Sequence, residues 1–108
     1  MNILQHTTKL IQQDFQLEEL PPILEEAALL AFLTRLVEEL LEHNLERLFW
    51  VFYRLDVSEE KVHAALALDA QEPAAPALAA LILEREQQKA QARLEDTEED
   101  LEEGITPW

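Results

Sequence analysis

One glycine occurs in 108 residues, at position 104. Tight β-hairpins use positive φ angles, which glycine adopts at least cost, so a chain with one glycine near its end disfavours a hairpin-rich β fold. The same scarcity excludes Gly-rich phosphate cradles. Alanine, leucine, glutamate and glutamine dominate instead, and all are good helix formers. The expected fold is all-α: a compact four- to five-helix bundle over residues 1–83, then a polar helical extension and acidic C-terminal tail over 84–108.

The pattern predicts five helices. The first spans about residues 2–15, where Ile3, Leu4, Leu10, Ile11 and Phe15 recur at helical spacing. Pro21-Pro22 breaks the chain, with Pro22 in the first turn of a second helix, where its missing N–H costs nothing. That helix has a broad apolar face (Ile23, Ala27, Leu30, Val37, Leu41, widened by Leu29, Phe32, Leu36 and Leu40), which suits a central position. His43-Asn44 marks the next boundary, with Asn44 as N-cap of a third helix that holds Phe49, Trp50, Phe52 and Tyr53. An unbroken continuation of the second helix is the alternative. Asp56-Val57-Ser58-Glu59-Glu60 is the clearest local signal. Ser58 is placed to cap a fourth helix, with carboxylates in its first turn and Val57 against Val62 as a hydrophobic staple. That helix runs to about Leu68, and the last begins near Pro73 or Pro76. After Leu83 large apolar residues nearly stop, so Glu86 and Lys89 are expected on the surface.

Charge and cysteine content exclude further classes. The formal charge is −15 and there is no cysteine. The second fact removes disulfides, thiolate metal sites and cysteine nucleophiles. The first opposes direct binding to nucleic acid, which needs clustered lysine and arginine. The charge is uneven. Residues 1–83 hold 14 acids and 5 bases, net −9, while residues 95–103 hold seven acids and no base. No charge-free apolar run approaches the roughly 18–20 residues that span a bilayer, and no secretory signal pattern opens the chain. A cytoplasmic location with no membrane association is expected.

Four groups of residues invite a chemical reading. Glu60 and His63 form one Glu-x-x-His pair, of which carboxylate-bridged metal bundles use two. In a chain this rich in glutamate, a first-turn role for Glu60 explains the match as well. His43, Arg47, Trp50 and Arg54 share a helical face and form the one concentration of cation and indole. They read either as an anion or peptide-carboxylate site or an anchor in a partner interface, or as internal pairs with Glu38, Glu42 or Glu46 beside a core-edge tryptophan. Ser58 is the only serine, and capping accounts for it. Trp108, after Gly104-Ile105-Thr106-Pro107, ends the acidic tract as an aromatic anchor for a partner or for the chain's own domain.

No catalytic constellation and no cofactor site is expected, so the chain reads as non-enzymatic. The leading expectation is a protein-interaction bundle (adaptor, chaperone-like or regulatory) with an unknown protein partner, using Arg47, Trp50, Arg54 and Trp108. The apolar surface of the second and third helices predicts a homodimer. One alternative is an acidic inhibitor that mimics nucleic-acid charge against a basic partner. The other is a metal-binding bundle using Glu60 and His63.

Overall fold

The computed structural model describes residues 2–103, with side chains through Glu95. It is an all-α bundle of five helices: α1 (Ile3–Asp14), α2 (Glu26–His43), α3 (Leu45–Leu55), α4 (Glu59–Leu66) and α5 (Ala74–Glu103). No helix among the described residues is long and apolar enough to cross a membrane. Gly104 and Trp108 lie outside the described residues.

α5 is the spine. It packs most extensively on α2 and α1 and also touches α4 and α3. Its Ala75, Leu78, Ala79 and Ile82 are buried, and the two alanines let neighbouring backbones come close. Against them α2 sets Leu29, Leu33 and Val37, while α1 adds Ile11 and Phe15. The inner face of α3 contributes Leu48, Val51, Phe52 and Leu55. Polar ties also fasten α5 across the bundle. The Arg85 guanidinium donates to the Leu55 carbonyl at 2.9 Å, at the end of α3, where helix carbonyls lack internal partners. Gln87 donates to the Glu26 carboxylate at the start of α2.

Local chemistry sets the helix ends. Asn2 and Gln5 form a reciprocal capping box at the start of α1. Asn44 accepts from the Arg47 N–H, so the chain breaks at His43-Asn44 and α3 is a separate helix. Without glycine, two helices end on ordinary residues in the left-handed region, Gln16 (φ 55°) and Asp56 (φ 57°). In both, the next N–H reaches back five residues: Leu17 to the Gln12 carbonyl at 2.9 Å, and Val57 to the Phe52 carbonyl at 3.1 Å. These are Schellman closures built on side chains that tolerate αL at a cost.

Three boundaries differ from the sequence reading. α2 begins at Glu26, not Pro22. Residues 21–25 stay out of the helix, which lets Ile23 reach the core from the connector. α4 ends at Leu66, short of Leu68, because Ala67 is extended (ψ 147°), and Leu68 is fully exposed. The packed part of α5 runs past Leu83: Glu86 and Ala90 are both fully buried.

Ser58 performs the capping role its sequence context predicts, accepting from the Lys61 N–H at 3.4 Å. Ser58→Ala is expected to lower stability by about 1 kcal/mol, seen as a shifted urea midpoint with an unchanged slope. An unchanged midpoint would show that water caps α4 equally well.

Candidate functional site

Two adjoining features of the surface and interior carry the chemistry. The first is the clasp that closes the end of α1. Asp14, the last residue of α1, has a buried carboxylate that accepts from Arg54 Nε of α3 at 2.8 Å and from Lys89 Nζ of α5 at 2.9 Å. One residue on, the Phe15 carbonyl accepts from Arg47 Nη2 at 2.8 Å, and the same nitrogen reaches Gln16 Oε1 at 3.1 Å. Burial works to raise the Asp14 pKa. Hydrogen bonds with Glu86, Arg54 and Lys89 overcome that and hold it below 3.8.

Glu86 is the fifth ionisable side chain of the clasp and its anomaly. It is fully buried, and neither oxygen has a hydrogen-bond partner among the described residues when taken as an acceptor. Lys89 Nζ stands 3.8 Å away, turned toward Asp14. Burial and the neighbouring Asp14 push the Glu86 pKa up to about 9, while the charges of Lys89 and Arg93 pull it back only in part. The side chain is therefore a neutral acid at pH 7. Its O–H can be shared with ionised Asp14, as happens where two carboxyls occupy one site. The clasp thus holds two carboxyls with one proton between them and three cations, Arg47, Arg54 and Lys89.

The sequence reading expected Glu86 and Lys89 on the surface, and one of its two readings of Arg47 and Arg54 paired them internally with Glu38, Glu42 or Glu46. The structure corrects both expectations. Asp14 and the end of α1 take the two arginines, because α1 packs across α3 as well as α5. The signal for Glu86 was present: Leu78, Ile82, Glu86 and Ala90 recur every fourth residue, so Glu86 falls within the buried stripe.

The second feature is the outward side of α3. Its inner residues are core, yet Leu45 (47 % exposed), Phe49 (43 %), Trp50 (39 %) and Tyr53 (88 %) face solvent. Trp50 lies between the two clasp arginines, with Arg47 Cζ 5.9 Å and Arg54 Cζ 5.4 Å from its ring centroid. Arg47, Trp50 and Arg54 are therefore brought together as their spacing predicts. His43 lies 3.8 Å from the exposed Glu42 and lines a cleft together with Arg47. Phe49 meets Phe52 edge-on at 5.9 Å, which fixes the Phe49 ring at the rim. Beyond it a groove of about 670 Å³ opens between α3 and α4, with Phe52, Val57 and Val62 as its apolar base.

Glu60 and His63 are both exposed on α4. No group of three or more His, Asp or Glu side chains suited to holding a metal occurs among the described residues. The Glu-x-x-His pair therefore has no further ligands there, because the glutamates of α2 face solvent elsewhere. Trp108, the remaining residue of the expected partner-binding set, lies outside the described residues. Comparison with family models, curated proteins and solved structures gives no match.

Proposed function

We propose that the chain is a non-enzymatic protein-interaction bundle that docks its partner on the outward side of α3. The observation that supports this is the exposure of Leu45, Phe49, Trp50 and Tyr53 on a helix whose opposite side is core. Large aromatics are costly to leave in water and are the side chains on which interface energies concentrate. Arg47 and Arg54 hold Trp50 in place while tying down α1, so the indole is presented on a stiff support. Preorganisation of that kind lowers the entropy lost on binding. Nothing in this reading requires a cofactor. A cytoplasmic location remains part of the proposal.

The expected homodimer concerns the same face. The bundle's own helices cover most of the apolar surface of α2, which leaves α3 as the place where a second copy would sit. Charge mimicry rests on the −15 alone, and seven of those charges fall in residues 95–103.

A photo-crosslinking residue placed at Tyr53, and separately at the exposed Ala31 of α2, tests the surface in the cells that make the protein. A discrete adduct from position 53 and none from position 31 is the expected result. A product of twice the chain mass would identify the occupant as a second copy. Equal, diffuse labelling from both positions would remove α3 as the docking surface.

A further inference from the structure

The groove between α3 and α4 allows the partner's chemistry to be named, on the basis of the docking reading above. We propose that it receives an amphipathic segment of another protein, with apolar residues on one side and lysines or arginines beside them.

The base of the groove demands the apolar side. Phe52, Val57 and Val62 are buried members of the core that form its base, and the Phe49 and Tyr53 rings form the wall. Its shape demands a segment rather than a small molecule. Small ligands bind where most of their surface is enclosed. Here Tyr53 stands 88 % exposed at the edge, so it can cover only a partner that brings further surface of its own.

The rim demands the cations. Asp56, held in the left-handed region by the closure of α3, and Glu59, in the first turn of α4, both border the groove. Arg54 is the cation on that rim, and Asp14 at 2.8 Å offsets part of its charge, since the same carboxylate also pairs with Lys89. His63 completes the border. The groove is thus apolar at its base, and at its edge the two carboxylates outnumber the one arginine, whose charge Asp14 partly offsets. The chain as a whole carries a net charge of −15. Such a field speeds the approach of a basic segment and opposes an acidic one. A second copy would bring another −15, with carboxylates at the same two rim positions, so complementarity favours a different protein.

The test uses the full chain and three synthetic helical peptides followed by amide NMR shifts. One peptide carries leucine and lysine, one carries the same leucines with glutamate, and one carries lysine with serine in place of leucine. The leucine–lysine peptide is expected to saturate and to move Phe49, Tyr53, Val57 and Val62. Tyr53→Ser should weaken it about tenfold. The pair Asp56→Asn and Glu59→Gln should weaken it several-fold at low salt, with the urea midpoint held, since asparagine accepts the left-handed conformation and Ser58 retains the cap. Three results would overturn the proposal: equal binding of the lysine–serine peptide, equal binding of the leucine–glutamate peptide, or shifts centred on residues 95–103. The second leaves α3 as the docking surface with a different occupant, whereas the third removes the groove itself. A dimer by light scattering that Tyr53→Ser dissociates would assign the groove to a second copy instead.

Discussion

Asp14→Ala is expected to lower the stability at pH 7 by about 2 kcal/mol and to loosen the end of α1 selectively. Removing one member of a buried ionic pair costs about 3–5 kcal/mol when the partner is left without water. The loss here is smaller for two reasons. The side chains of Lys89 and Arg54 are 25 % and 49 % exposed and can recover hydration. Glu86 can also ionise toward Lys89 once Asp14 no longer opposes its charge. Amide exchange should quicken over the last turn of α1 before it does in α2, because the clasp joins α1 to α3 and α5 and does not touch the α2 core. A uniform acceleration across the bundle would place the effect in global stability and deny the clasp a local role.

Glu86→Gln has the opposite sign. The substitution keeps the shape and removes the proton, and it is expected to raise stability at pH 7.5 by on the order of 3 kcal/mol. Between its ordinary value of 4.5 and about 9, Glu86 keeps a proton in the folded chain that the unfolded chain has released. The folded state binds more protons across that window, so wild-type stability falls as pH rises through it, by at most about 1.4 kcal/mol per unit, and levels off above. Asp14 sets the other edge. Its depressed pKa contributes stability that is present above 3.8 and lost as pH falls below it. Urea midpoints from pH 5 to 9 should therefore decline in the wild type, with a much flatter profile in Glu86→Gln. Parallel slopes in the two proteins would show that Glu86 is already ionised when folded.

These two residues mark where the sequence was hard to read. The caps were legible because they are local: Ser58 and Asn44 each act on an N–H three residues along. The break at His43-Asn44 and the aromatic third helix were legible for the same reason. Pro22 misled, because proline permits a helix start without requiring one, and the core drew Ile23 inward from an extended connector. In the candidate site, the spacing of Arg47, Trp50 and Arg54 was enough to place them together. It could not name their partners, since Asp14 lies 40 residues from Arg54 and 75 from Lys89.

What the sequence determined alone is the all-α class, a bundle of four to five helices, most of their ends and the clustering of aromatics on α3. Each follows from propensity and from contacts within a turn or two, which act on the chain before it folds. Only the tertiary structure decided which distant polar side chains meet and which of them are buried. α1 crosses both α3 and α5, and that crossing turns Asp14 from a helix-end acid into the centre of a buried clasp. It also turns Glu86 from a solvated glutamate into a neutral acid. The physical reason is that burial and ion pairing depend on which distant segments meet, and a count of acids and bases along the chain carries no information about that meeting.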